Sequence, residues 1–363
     1  MKHRRSIAKI FFFLGITLVL VGGFTFYQSR VASAHNSSGI CIQYGAFTRS
    51  VAFIEAQARG YFAQEGLNVC YNQVSSSTQQ FNSLLSGQYD IISTTADNVV
   101  NRYVNSNLPV QIVDGIDQGS GLQLVGSTAN GINSIADLKG KPIAVDAPNS
   151  GYVFALEKIM ADNGLSLANG DYSLQVIGGS LQRFNAIQAG SFNGAPVYAT
   201  ILGTPFSEQA HDVSTLISLA KFSDHLAPYQ GSTLATTRSY AQANSATLKA
   251  FIKATIRGRL FAANPFNKST VVADIASTFG VSTQTATDIY TDAQDLVSGE
   301  NTDELLNPAG LKNTIDLRQQ FGGFTQPLSA IQEALLLVPG KTSLYDAEYW
   351  VAACVEACAG LPQ

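Results

Sequence analysis

The stretch AVDAPNSGYVFALEKIMADNGL, residues 144–165, decides how the chain is read. It opens as an apolar strand, passes through a short polar turn at residues 146–151, and continues as a helix. Val153, Leu156, Ile159 and Met160 fall on one stripe of that helix at the helical period. Asn163-Gly164-Leu165 ends it, with Gly in the left-handed position past the last turn and Leu packing back. The turn is built from small hydrogen-bonding residues, so this helix start is free to hold something.

The same alternation extends in both directions. From residue 40 to 113, the strands GICIQYGAF, LNVCYNQV, YDIIST and LPVQIVDG are separated by helical windows ending in Gly60, Gly66 and Gly87. A second run, from LQLVGST to VSTLISLA, carries the pattern to about residue 220. Short apolar strands alternating with helices predict an α/β fold whose parallel-rich sheets are flanked by helices. Helices dominate after STLATTRSY. Periodicity alone leaves open whether these segments are two domains or two lobes to which the tail returns.

The N-terminus sets the compartment. Lys2, Arg4, Arg5 and Lys9 precede an apolar run, and Ala32-Ser33-Ala34 offers a small-x-small cleavage pattern. Residues 1–34 therefore read as a signal peptide cleaved after Ala34, with a retained membrane anchor as the alternative. The chain has 22 basic and 26 acidic residues. The signal segment holds five of the basic ones and no acid, leaving 17 against 26, a net charge of −9. That balance argues against nucleic acid or an anionic membrane surface as partner. Four cysteines in an oxidising compartment permit disulfides. Cys41 and Cys70 sit in neighbouring strands and form the expected bridge. Cys354 and Cys358 lie four apart, where a bridge inside a continuous helix would strain its geometry, so their pairing stays open.

Enzyme signatures fail. Gly340-Lys341-Thr342 lacks the first glycine of a phosphate loop, Ser218-Leu219-Ala220-Lys221 lacks its companion triads, and the histidines have no metal-ligand spacing. No nucleophile with a paired base is evident, and no cofactor is implied. What remains are three loops at the carboxyl ends of strands, where helix N-termini offer free amides. The first supplies Tyr44, Phe47, Thr48, Arg49 and Ser50. The second, STTAD, supplies Thr94 and Thr95. The third supplies Asn149, Ser150, Gly151 and Tyr152. Each has a plainer role open to it: Asn149 or Ser150 as a helix cap, Tyr44 and Phe47 as core, Arg49 as an exposed cation.

The segments ARGYFAQEGLNV, LLSGQYDIIST, IADLKGKPIAVDAPNSG, LEKIMADNGL, FNAIQAGSFNGA and TTRSYAQANSATLKAFIKA occur in this order. Together they resemble the solute-binding proteins of nitrate/sulfonate/taurine and thiamine-pyrimidine-precursor ABC importers. The resemblance implies a two-lobed periplasmic-binding-protein fold of type II. Lobe one would span 40–124 and 232–363, lobe two 125–231, and the helical tail would return to lobe one. It implies a small solute held in the cleft, with the loop Tyr44 to Ser50, Thr94, Thr95, Ser150, Gly151 and Tyr152 as its contacts, an ABC permease as partner, and a monomer. Relatives usually carry Asp-Ala where this chain has Gly194-Ala195, so any role of that position is in doubt. The expected function is capture of a sulfonate, another oxyanion or a pyrimidine-like heterocycle. The alternative is an anchored sensor or an exported enzyme on the same scaffold.

Overall fold

Strand-forming runs too short to be buried alone are assembled here into two five-stranded sheets. The computed structural model describes residues 41–119 and 121–359; the expected signal segment and its cleavage point after Ala34 lie outside them. The chain begins with β1 (Ile42–Ala46), α1 (Val51–Ala58), α2 (Tyr61–Gln64), β2 (Val69–Gln73), α3 (Ser77–Leu85), β3 (Ile91–Thr95), α4 (Ala96–Ser106) and β4 (Val110–Gly115). It then builds β5 (Gln123–Ser127), β6 (Pro142–Val145), α5 (Gly151–Asp162), β7 (Ser173–Val176), α6 (Ser180–Gln188), the hairpin β8 (Ser191–Phe192) and β9 (Ala195–Pro196), β10 (Ala199–Leu202), α7 (Phe206–His211) and β11 (Leu216–Lys221). The last strand, β12 (Ser232–Thr237), leads into α8 (Arg238–Ala243), α9 (Ser245–Ala263), α10 (Lys268–Phe279), α11 (Thr283–Ala293), α12 (Pro308–Gln320), α13 (Ala330–Leu336) and α14 (Glu348–Ala357).

The first sheet runs β2-β1-β3-β12-β4 and the second β11-β5-β10-β6-β7. The second sheet thus begins at Gln123, ahead of residue 125. In each sheet two pairings are parallel and two antiparallel. The parallel pairs follow from strand–helix–strand crossovers. The antiparallel ones appear because β12 and β5 arrive from the opposite lobe and insert between resident strands. The helical tail packs on the first lobe, and α12 also reaches the second: Leu311 and Ile315 lie in the first lobe's core and Leu317 in the second's.

Both disulfides form. Cys41 and Cys70 join the ends of β1 and β2 with Cα atoms 5.7 Å apart. Cys354 pairs with Cys358, the residue that caps α14 just past its last helical residue, with Cα atoms 4.9 Å apart. The Gly194 position proves to be a turn. Asn193 and Gly194 both have positive φ, 49° and 80°, and close the β8–β9 hairpin as a two-residue loop requires.

Two chain crossings join the lobes. Ile116 N donates to Ser232 O at 2.9 Å and Gly231 N to Asp117 O at 2.9 Å. The Asp117 carboxylate accepts from Gly119 N at 2.7 Å and Ser232 N at 3.0 Å, tying one crossing to the other. A Cβ at Gly231 would stand 2.2 Å from Asp117 Oδ1 and 2.4 Å from Gly119 N. Gly231→Ala is therefore expected to cost about 1–3 kcal/mol, read as a lowered denaturant midpoint. An unchanged midpoint would mean that the crossing does not constrain the fold.

Buried carboxyl groups gather beneath this crossing. Burial lifts Glu300 and Glu304 to about 7. Asp114 rises well above the ordinary range through burial and the neighbouring charge of Glu304, with which it shares a hydrogen bond. On the far lobe, burial and the nearby Asp292 lift Glu208 to about 8. A carboxyl raised on folding keeps a proton that the unfolded chain releases, so stability is full below about pH 4.5 for these groups and falls as pH rises. Denaturation at several pH values should show stability declining towards pH 7–8. A rise over that window would contradict the burial of these groups.

Candidate functional site

The three polar loops meet between the sheets. Strands β1 and β3 of the first lobe deliver Phe47, Thr48, Ser93, Thr94 and Thr95. The end of β6 and the starts of α5 and α6 on the second lobe deliver Asp146, Ser150, Tyr152, Ser180 and Arg183. Together they line a pocket between the lobes whose wall mixes hydroxyls, a carboxylate, a guanidinium and two aromatic rings. An adjoining chamber adds Arg49, Ser50, Asp117, Tyr229 and Glu300, and shares Thr48, Ser93, Tyr152 and Ser232 with the first.

Not every candidate lies on this wall. Tyr44 is 1 % exposed and stacked on Phe53 at 4.7 Å, so it belongs to the core of the first lobe. Its position in β1 alternates inward, and burial there drives its hydroxyl far above the phenol range. Asn149 faces away from the solute space: its side-chain oxygen and its carbonyl both accept from Arg318, at 2.8 and 3.1 Å. Gly151 N donates to Asn98 Oδ1 at 3.1 Å and is spent on joining the lobes. A Cβ at Gly151 would meet Thr95 Oγ1 at 2.5 Å across the cleft.

Local capping explains several hydroxyls. Ser50 accepts from Phe53 N at 3.1 Å and Thr95 from Asn98 N at 3.3 Å, each as the N-cap of its helix. Ser150 leaves its helix uncapped and donates to Asp146 Oδ1 at 2.5 Å. The other Asp146 oxygen accepts from Ser77 Oγ at 2.8 Å and Ser77 N at 3.3 Å, so this carboxylate latches α3 of one lobe to β6 of the other. Arg49 lies over Tyr71, its guanidinium carbon 4.0 Å from the ring centroid. Its Nε is buried without a partner among the described residues.

Arg183 was not singled out by the sequence, because within SLQRFNAIQAG it reads as one more polar helix position. It is 1 % exposed. Nε donates to Gly178 O at 3.0 Å, Nη1 to Thr200 Oγ1 at 2.9 Å and to Ile201 O, and Nη2 to Ser180 Oγ at 3.2 Å. All four acceptors are neutral, and a guanidinium has five N–H groups. One Nη2 hydrogen thus has no acceptor among the described residues. Burial lowers the pKa of this group, partly offset by Asp146.

Arg318 is the other residue missed. Nε and Nη2 grip the two Asp97 oxygens at 2.8 and 2.7 Å, while Nη1 also reaches Gly323 O at 2.7 Å. Its guanidinium stacks on Phe154 of α5, 4.4 Å from the ring centroid. Residues from both lobes therefore meet on one side chain of α12.

The family described as NMT1/THI5 like matches residues 48–268, more than half of the chain. A search of curated proteins finds no match. Among solved structures, a Bordetella bronchiseptica RB50 protein superposes with a TM-score of 0.69 at 15% identity, over 88% of this chain and 98% of that one. The periplasmic nitrate-binding protein NrtA from Synechocystis PCC 6803 gives a TM-score of 0.68 at 13% identity, over 89% of each chain. The alkanesulfonate-binding protein SsuA from Xanthomonas axonopodis pv. citri, bound to MOPS, gives 0.65 at 14% identity, over 81% of this chain and 98% of that one. With this match over more than half of its length, the chain belongs to the NMT1/THI5-like family, and it shares the two-lobed fold of these solved structures.

Proposed function

We propose that the protein captures a compact oxyanion, a sulfonate first among the candidates, between its lobes and passes it unaltered to an ABC permease. Arg183 carries this reading: a buried cation on the cavity wall, held by neutral acceptors and with a donor left over. Asp146 shares the cavity, but its oxygens are engaged by Ser77 and Ser150, and no carboxylate lies within ion-pair distance of Arg183 among the described residues. An anion would supply the missing charge and could accept from Thr48, Thr94, Thr95, Ser180 and Ser232 around it. The similarity to nitrate- and alkanesulfonate-binding proteins supports the same class.

A flat heterocycle is the second reading, supported by the Phe47 and Tyr152 rings on the same cavity. In either case the solute contacts both lobes and stabilises the closed form, which is a hinge closure. We further propose export, release by cleavage after Ala34, and action as a monomer. Mass spectrometry of the native N-terminus should find His35 first; an intact Met1 would favour the anchored sensor.

The test is a thermal-shift and calorimetric screen of sulfonates, nitrate, sulfate, pyrimidines and amino acids. A true solute at about 100 times its dissociation constant adds about 2.7 kcal/mol of stability. Arg183→Lys keeps the charge but loses the planar fork, and should weaken an oxyanion by about tenfold or more. Arg49→Ala should weaken an anion more than a neutral heterocycle. Gly151→Ala should weaken every solute alike, because it obstructs closure rather than a contact. Unchanged oxyanion affinity in Arg183→Lys would sink the assignment.

A further inference from the structure

The adjoining chamber has its own chemistry, and its key residue comes from far along the chain. Glu300 lies between α11 and α12, yet its carboxylate sits on the N-terminus of α1. Oε1 accepts from Val51 N at 2.5 Å and Oε2 from Ala52 N at 3.0 Å. These are the first two amides of the helix, the place where an external anion would be held by free N–H groups and the positive end of the helix dipole. Here the protein's own carboxylate holds it.

Glu300 is not free to leave. Its backbone bridges to Asp117, Gln118 N donates to Gly299 O at 3.0 Å, and Asn301 N to Ile116 O at 2.8 Å. Arg259 donates from Nε and Nη2 to Glu300 O at 3.3 and 3.0 Å. The segment is therefore sewn to the lobe crossing. A second observation points to a ligand. Tyr229 lines the same chamber, is 1 % exposed, and its hydroxyl is buried with no hydrogen-bond partner among the described residues.

We propose that Glu300 is the specificity-determining residue of this chamber: a resident carboxylate that closes the α1 N-terminus to oxyanions and reserves the chamber for the neutral, hydrogen-bond-donating end of the solute. A hydroxyl or N–H group there could donate to Glu300 and pair with Tyr229. A second anion would meet a fixed like charge with its amides already taken. This rests on the reading of Arg183 as holder of the solute's anionic end.

The experiment titrates wild type and Glu300→Gln with ethanesulfonate and with ethanedisulfonate, after thermal melts confirm that both proteins fold. The ratio of disulfonate to monosulfonate affinity should shift towards the disulfonate by about tenfold or more in Glu300→Gln, equivalent to about 1.4 kcal/mol. An unchanged ratio overturns the proposal. If neither probe binds wild type, the sulfonate assignment of the solute fails by itself. Uptake of disulfonate by Glu300→Gln alone then still supports the role of Glu300, and no uptake by either protein overturns it.

Wild type gives an independent measurement should Glu300→Gln lose its cooperative melt. Burial places the Glu300 carboxyl near neutrality, and Asp117, Glu304, Arg259 and Arg49 are the charged groups around it. The disulfonate preference should be greater at about pH 5.5 than at about pH 8.5, because protonation removes the resident charge. A preference that does not change between those values overturns the proposal.

Discussion

Arg318 has five guanidinium hydrogens, and the structure uses every one. Its side chain and that of Asp97 are essentially without solvent exposure, so neither charge keeps any water. Removing two charges from water is recovered only if the geometry is good and the remaining donors are satisfied. The bidentate grip on Asp97 supplies the first condition, and Asn149 and Gly323 supply the second. Asp97 follows Thr94 and Thr95 at the start of α4, and Asn149 precedes Ser150 at the start of α5. One buried side chain thus sets the spacing between the two polar loops that face each other across the cleft. Leaving either partner unpaired would move the cavity wall as well as expose a buried charge.

Around that pin, the helix N-termini at the cleft are largely occupied by the protein itself. Glu300 and Ser50 take the first amides of α1, Thr95 takes one of α4, and Asn98 takes the Gly151 amide of α5. The general expectation that such termini await an anion is therefore modified in this chain. Under the proposed function, recognition passes to side chains, chiefly the Arg183 fork and the hydroxyls near it. A fork in a buried, neutral setting distinguishes a trigonal or tetrahedral oxyanion by direction as well as charge, which a helix dipole does not.

How much of this could be read from the chain depended on sequence distance. The strands and helices are local, and their periodicity was legible, as were the Cys41–Cys70 bridge and the polar turn before Tyr152. Phe47, Thr48 and Ser150 reach the cleft because a strand end fixes where its loop emerges. Tyr44 went inward for an equally local reason, the strand's alternation, which residue type alone does not reveal. The rest was hidden by separation. Glu300 meets Val51 across 249 residues and Arg318 meets Asp97 across 221. Arg183 lies on an amphipathic helix where an arginine usually signals solvent; only β10, which supplies Thr200 and Ile201, turns that position into an interior one.

The same long-range contacts bear on closure. Ser77 to Asp146, Gly151 to Asn98, Gly179 N to Ser75 O at 2.7 Å and Thr285 to Asp212 all cross between the lobes, and all are made by protein groups. Closure therefore has a favourable contribution of its own, to which a solute adds its differential affinity for the closed form. The observed affinity scales with the fraction of molecules already competent to bind. Residues off the cavity wall, such as Asp97 and Arg318, consequently bear on closure as well as those that line the cavity.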